Sequence, residues 1–67
     1  MNNLWYHRRM KGLKQYQLAS KLGVSASLLS LIETGRQEPT DEFKLKCSRE
    51  LKIPIKELFP NDENPLR

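Results

Sequence analysis

Four side chains between positions 14 and 36 have the chemistry to hold phosphate anions. Lys14 and Gln15 precede one amphipathic stretch, and Thr34 and Arg36 follow the next. Ammonium, guanidinium, carboxamide and hydroxyl groups are common partners of phosphate oxygens. Such contacts position a polyanion without reading its sequence. The stretch between the two pairs therefore has to carry any specificity.

No arrangement of residues in the sequence points to catalysis. Cys47 is the only cysteine and His7 the only histidine, so the chain cannot form an internal disulfide, and these two residues alone cannot make a zinc site. The Ser-His-Asp, HExxH and phosphate-loop patterns do not occur. We interpret Cys47 as a packed thiol and His7 as a partly exposed helix residue. The sequence predicts neither enzymatic activity nor a metal, cofactor or small-molecule ligand.

An ungapped run between positions 15 and 32 has the spacing of two short helices joined by a tight turn. Small Ala19 lets a second helix cross closely, and Gly23 supplies the left-handed residue that ends the first helix. Ser25 can cap the second helix through its hydroxyl. The residues that set the spacing are Ala19, Gly23, Val24, Leu29 and Ile32. Together they predict a helix-turn-helix, which makes double-stranded DNA the expected partner.

The exposed face of the second of these helices is predicted to read the bases. Ser27 can donate to or accept from several bases, and the alkyl side chains of Ala26, Leu28 and Leu31 can pack on a thymine methyl group. These residues offer no bidentate contact to guanine or adenine, so specificity should rest on methyl contacts and DNA shape. The full set of predicted DNA-binding residues is Lys14, Gln15, Ser25, Ala26, Ser27, Leu28, Leu31, Thr34 and Arg36.

Glycine, proline and capping residues divide the chain into five predicted helices. Gly12 ends the first, and Thr40 caps the fourth after Pro39 resets the chain. The predicted bounds are 3–11, 15–22, 26–34, 41–52 and 54–59. The side chains predicted to face inward from the first helix are Leu4, Met10 and either Tyr6 or His7. The pattern predicts one all-α DNA-binding domain over residues 1–59 and a short, polar, flexible tail at residues 60–67.

Size and charge agree with a small binding module. The 67-residue chain is near the lower limit for a domain held by a hydrophobic core alone. Its net charge of +4 is uneven, since residues 1–32 carry +5 and residues 33–67 carry −1. The basic half contains the predicted helix-turn-helix, which favours a phosphate-facing surface. No stretch approaches the roughly 20 apolar residues of a membrane span, and no signal-peptide pattern occurs, so we expect a cytoplasmic protein that does not bind membranes.

The run LKQYQLASKLGVSASLLSLIETGRQEP, followed by LKIPIKELF, resembles the Cro/C1-type helix-turn-helix family, also called Xre-like or lambda-repressor-like. The most specific matches are Gln15, at the start of the second helix, and the ETGR sequence that begins at Glu33. The resemblance extends from about Leu4 to Phe59. It implies a compact five-helix domain that binds operator DNA, usually as a homodimer. It also implies a structural ion pair between Arg8 and Glu33.

Several positions depart from the pattern of that family. In the predicted reading helix, relatives often carry Gln, Arg or Lys at the positions of Ala26, Ser27, Leu28 and Leu31. Lys14 stands where a Thr or Ser usually caps the second helix, and its charge opposes the helix dipole although it could serve a phosphate. Lys44 stands where the fourth helix usually has a core leucine. We expect Phe43 and Leu45 to take over that packing.

These observations favour a transcriptional regulator, in particular a repressor that binds an inverted-repeat operator as a homodimer. The predicted dimer contact is the C-terminal helix, through Ile55, Leu58 and Phe59, because so short a helix cannot readily bury that much apolar surface. The alternative is an antitoxin or adaptor whose main role is to bind a protein partner. A long partner-binding extension would favour it, and the stretch after Phe59 is too short to supply one.

Overall fold

A computed structural model of the protein describes residues 2–60. These residues form five α-helices and no β-strand. The helices are α1 (Leu4–Met10), α2 (Gln15–Leu22), α3 (Ala26–Glu33), α4 (Asp41–Leu51) and α5 (Ile55–Leu58). All five predicted helices are therefore present, and their ends differ from the predicted ones by no more than one residue. Most of the predicted tail, residues 61–67, lies outside the described residues.

Side chains at the helix starts explain where three of the helices begin. The Asn2 Oδ1 atom, one residue before the cap position of α1, accepts from the backbone N–H of Leu4 at 3.0 Å, whereas the cap residue Asn3 makes no side-chain cap bond. The predicted caps of α3 and α4 are confirmed, because Ser25 Oγ accepts from Leu28 N at 3.0 Å and Thr40 Oγ1 accepts from Phe43 N at 3.1 Å. Each oxygen satisfies a backbone donor that the helix itself leaves without a partner.

At the start of α2, the cap residue Lys14 has no side-chain acceptor, and a different hydrogen bond stabilises the helix end. Gln17, one turn into the helix, accepts from the backbone N–H of Lys14 through its Oε1 atom at 2.8 Å. This contact is the reverse half of a capping box. The helix therefore begins at the predicted residue although the cap position has no acceptor side chain.

The core is a single cluster to which every helix contributes. Its centre is formed by Leu18 and Leu22 of α2 and Leu29 of α3, which are all almost completely buried. Ala19 is also buried, which fits its predicted role at the α2–α3 crossing. The other buried apolar residues are Leu4, Ile32, Phe43, Cys47, Leu51, Leu58 and Phe59.

The predicted inner face of α1 is confirmed at Leu4 but wrong at Met10. Leu4 and Arg8, one turn apart, are the buried residues of this helix, whereas Tyr6 and Met10 are exposed, Met10 at 68% of its surface. A charged residue takes the inward position because Glu33 is there to pair with it. On α4, Phe43 is buried as expected, but Leu45 is exposed and does not replace the missing core leucine.

The prediction that Leu58 and Phe59 form a dimer surface is also wrong. Both side chains are fully buried within the protomer, where they close the core beneath α1 and α4. Of the three residues predicted for that surface, Ile55 alone is partly exposed, and it too packs against the core. The sequence suggested surplus apolar surface because so short a helix cannot cover it alone, and in the structure the rest of the core covers Leu58 and Phe59.

Hydrogen bonds from Asn2 and Asn3 connect the start of α1 to α5 and α3. The N–H of Asn3 donates to the carbonyl of Leu58 at 2.8 Å, and the Asn3 side chain donates to the carbonyl of Glu57 at 3.0 Å. Asn2 donates from Nδ2 to the carbonyl of Ile32 at 2.8 Å. The first residues described here are thus tied to both α3 and α5.

Candidate nucleic-acid interface

A buried ion pair fixes α1 relative to the end of α3. Arg8 Nε lies 2.7 Å from Glu33 Oε2, and Arg8 Nη2 donates to Glu33 Oε1 at 3.3 Å. Only 8% of the Arg8 side chain and 2% of the Glu33 side chain are exposed. Arg8 Nη1 also donates to the carbonyl of Leu13 at 2.8 Å, in the link between α1 and α2. The structure thus brings together the two residues of the predicted pair.

Gln15 extends this pair to the start of α2. Its Nε2 atom donates to Glu33 Oε1 at 3.0 Å. The carboxamide was predicted to hold a phosphate, and it is instead already engaged by a buried carboxylate. One N–H of that group remains for another acceptor. The first residue of α2 and the last residue of α3 are therefore held at a fixed distance from each other.

The exposed side of α3 and the start of α2 enclose a shallow open groove. Ser27 is exposed, Leu31 is exposed over 38% of its surface, and Ala26 and Ser30 are partly buried. The residues that line the groove are Gln15, Ala26, Ser27, Ser30 and Leu31. The structure therefore places Ala26, Ser27 and Leu31, three of the predicted base-reading residues, on one accessible surface.

Sequence reasoning missed one residue at this surface. Ser30 lines the groove, and its position one turn after Ser27 and next to Leu31 is the signal that could have identified it. Outside the lining, Tyr16 in the first turn of α2 is 62% exposed. Tyr16 directly follows Gln15, so it belongs to the same helix end.

Leu28 does not belong to this groove. It is partly buried, packs against the core, and lines a separate cleft between α3 and the start of α4 together with Val24 and Phe43. The prediction that it faces the bases is wrong, because Leu28 lies one turn before Ile32, which is itself buried. Leu28 shares the flank of α3 that turns toward α4.

The polar groups predicted to bind DNA differ in whether their hydrogen-bond donors are already used within the protein. The Thr34 hydroxyl donates back to its own helix, 2.9 Å from the carbonyl of Ser30 and 3.2 Å from that of Leu31, so its proton is already in use. The Ser25 hydroxyl accepts in its capping bond and still has a proton to donate. Lys14 and Arg36 are exposed.

The charges around the groove differ between its two flanks. Lys14 at the start of α2 and Arg36 beyond α3 are cationic, while the segment leading into α4 carries the exposed carboxylates of Glu38, Asp41 and Glu42. Asp41 and Glu42 stabilise the start of α4, where the helix dipole is positive. Glu38 has no such role, since it lies in the loop before the helix.

The remaining candidate groups for chemistry are not assembled into a site. Burial, and secondarily the negative charge of Glu33, raises the pKa of Cys47 from 9.0 to about 12, so this thiol is protonated and unreactive at neutral pH. His7 is partly buried and packs edge-on against Tyr6, with ring centroids 5.2 Å apart. Among residues 2–60, no group of His, Cys, Asp and Glu could hold a metal ion. No helix in that range is long and apolar enough to cross a membrane.

Comparison with known proteins gives two matches that cover most of the chain. Residues 6–58 match the sequence profile of a family described as helix-turn-helix. An uncharacterised HTH-type transcriptional regulator of Methanocaldococcus jannaschii is 34% identical over 58 residues, which is 87% of this chain and 88% of that protein. The matched segment runs from α1 into α5 and contains the whole groove.

Proposed function

This chain belongs to the Cro/C1-type helix-turn-helix family, and we propose that it regulates transcription, as a repressor, by placing α3 in the major groove of an operator. The observation that carries the proposal is the groove formed by α3 and the start of α2. Apart from Gln15 its lining is small or alkyl, it is open to a ligand, and its two walls are joined by the bond from Gln15 to Glu33, a member of the buried ion pair. A protein surface that must fit a duplex needs this kind of preorganisation.

Contacts to the DNA backbone would come from both ends of the groove. Lys14 and the first backbone N–H groups of α2 can bind one phosphate, where the helix dipole is positive. Arg36, beyond α3, can bind another. These contacts set the position and orientation of α3 without selecting a sequence.

We further propose that the protein binds as a homodimer. One domain offers few phosphate contacts and a reading face of only about two helical turns, which is too little to select an operator. Two copies related by a twofold axis would read an inverted repeat, with half-site centres about 10 base pairs and 34–36 Å apart. The dimer contact must use residues other than Leu58 and Phe59, which the protomer buries.

Selection of bound sequences from a random duplex pool tests the proposal. We expect enrichment of an inverted repeat, and sedimentation of the protein with the selected duplex should give two protomers per site. A single protomer on a non-palindromic site would contradict the homodimer. Failure to enrich any sequence would favour the alternative role as an antitoxin or adaptor that binds a protein.

Binding titrations at several salt concentrations test the phosphate contact. Arg36→Ala should weaken binding to all duplexes alike and reduce the slope of log K against log salt by about one. Arg49→Ala is the matched control, because it removes the same charge from a cleft at the opposite end of α2. Equal effects of the two substitutions would show that Arg36 has no specific contact.

A further inference from the structure

We infer that this groove reads the C5-methyl group of pyrimidines, so that its ligands are duplexes carrying thymine or 5-methylcytosine at the contacted positions. The inference rests on the proposed function and names the class of base that the same surface selects. It follows from the alkyl and hydroxyl groups that line the groove, and from the hydrogen bond that the Gln15 amide already makes to Glu33.

The groove has almost no capacity for the two-bond contacts that identify purines. Such contacts need an Arg or Lys for guanine, or an Asn or Gln for adenine. Gln15 is the only residue of these types in the lining. Its Nε2 atom donates one of its two protons to Glu33, which is almost completely buried, so a two-bond contact with adenine could use only the remaining proton and the amide oxygen. The bond to Glu33 therefore restricts purine recognition through Gln15 to one orientation of the amide.

The apolar part of the groove is suited to a methyl group. Leu31 is exposed in the lining, and Ala26 lies five residues earlier on the same helix. In the major groove the apolar group at a base edge is the C5-methyl of thymine. Packing that methyl against Leu31 removes apolar surface of both partners from water.

The two serines explain why thymine and 5-methylcytosine should both be accepted. Next to the methyl group, thymine presents the O4 acceptor and cytosine the N4 donor. A serine hydroxyl can donate to the first or accept from the second. Ser27 and Ser30 line the same groove, between Ala26 and Leu31 around the helix, and can serve either base. The methyl group, common to thymine and 5-methylcytosine, then becomes the feature that is read.

The experiment uses chemically altered versions of one selected duplex with the full-length protein. Replacing each thymine in turn by deoxyuridine removes only the methyl group. We expect Kd to rise about fourfold at a contacted position, as for one buried methylene, and to stay unchanged elsewhere. At a contacted position, exchanging the A·T pair for G·C should weaken binding, and methylation of that cytosine at C5 should restore most of the loss.

Leu31→Ser supplies the protein side of the test. In this variant the affinities for thymine and deoxyuridine duplexes should become equal, while the salt dependence of binding stays as it was. Leu45→Ser is the matched control, because Leu45 is a leucine of similar exposure, 46%, on α4. It should leave the fourfold preference intact. If Leu31→Ser fails to fold, the comparison of duplexes with the unaltered protein still decides the question.

The outcomes separate this inference from the function on which it rests. Enrichment of a sequence whose affinity is unchanged by deoxyuridine at every position would overturn the methyl readout and leave the DNA-binding function standing. Absence of binding to every duplex would overturn both. Loss of affinity on deoxyuridine substitution in the control and the parent protein, but not in Leu31→Ser, would establish the inference.

Discussion

Arg8 shows how a single charged residue can occupy a core position in so small a domain. Its guanidinium donates twice to Glu33 and once to the carbonyl of Leu13. Glu33 in turn accepts from Gln15. No buried polar side-chain atom among the described residues lacks a hydrogen-bond partner. Removing one member of such a network leaves a charge without compensation in the interior.

We therefore expect Glu33→Ala to lower the free energy of unfolding by about 3–5 kcal/mol, because Arg8 would remain buried and unpaired. Urea denaturation of the purified variant measures the loss. Glu38→Ala is the control, since Glu38 is exposed and should change stability by less than about 0.5 kcal/mol. A loss as small as this in Glu33→Ala would show that the pair is no more than a surface contact.

Cys47 makes a separate prediction about alkaline pH. In the unfolded chain its thiol should ionise near 9.0, whereas burial, and then Glu33, raises its pKa to about 12 in the folded protein. Between these values the folded state binds one more proton than the unfolded state, so stability falls as pH rises. The contribution is fully present below pH 9.0 and declines by about 1.4 kcal/mol per pH unit above it.

Denaturation curves between about pH 8 and pH 11, compared for the parent protein and Cys47→Ala, isolate this contribution. The two proteins differ only at residue 47, so the difference between their stabilities should shrink across the range. A difference that stays constant with pH would contradict the raised pKa.

At the scale of helices, the sequence contained enough information for the number of elements and most of their ends. Ser25, Thr40 and Gly23 act locally, so their effect on a helix end can be read from the adjacent residues. The orientation of α1 could not be predicted from hydrophobicity, because its inward residue is Arg8 and depends on a partner in α3. The sequence alone does not show whether Leu28 and Leu58 are exposed or buried, because their burial depends on where α4 and α5 pack.

Two helix ends allow a matched prediction on backbone strain. Gly23, after α2, and Lys52, after α4, both adopt left-handed conformations, with φ of 73° and 58°. Gly23→Ala should lower the free energy of unfolding by about 1 kcal/mol, because an L side chain is disfavoured there even though the space around it is open. Lys52→Gly should raise it by about 0.5–1 kcal/mol, since glycine removes that penalty and loses some entropy on folding.

Thermal and urea denaturation of the two variants check these signs. Lys56→Gly is the control, because Lys56 lies inside α5 and glycine there can only destabilise. A loss of stability in Lys52→Gly would mean that the lysine side chain makes a contribution larger than the strain of its backbone.

At the scale of the whole molecule, charge is distributed so that a duplex would meet different surfaces on the two sides of α3. Lys14 and Arg36 attract phosphate, whereas Glu38 lies beside the cleft that contains Leu28. If the proposed function holds, Glu38 opposes the approach of the DNA backbone on that flank. The carboxylate would limit affinity for DNA of any sequence.

We expect Glu38→Gln to tighten binding to specific and non-specific duplexes by about twofold to fivefold at low salt, with a smaller effect at high salt. Fluorescence anisotropy titrations at two ionic strengths measure this. Glu57→Gln, which removes the same charge from α5, is the control and should change affinity less. An equal increase in DNA affinity for both variants would indicate an effect of net charge alone.

The hydrogen bond from Asn3 to Leu58 brings positions near the two ends of the described chain within 2.8 Å of each other. The polypeptide therefore traces an almost closed ring. The order of the helices along the chain could be changed while their packing stays the same. A circular permutant could join Pro60 to Asn2 through a short flexible linker and open the chain between Gln37 and Glu38, both exposed in the loop before α4. Such a chain would end with α3 and its loop, so that a fused domain would emerge beside α3.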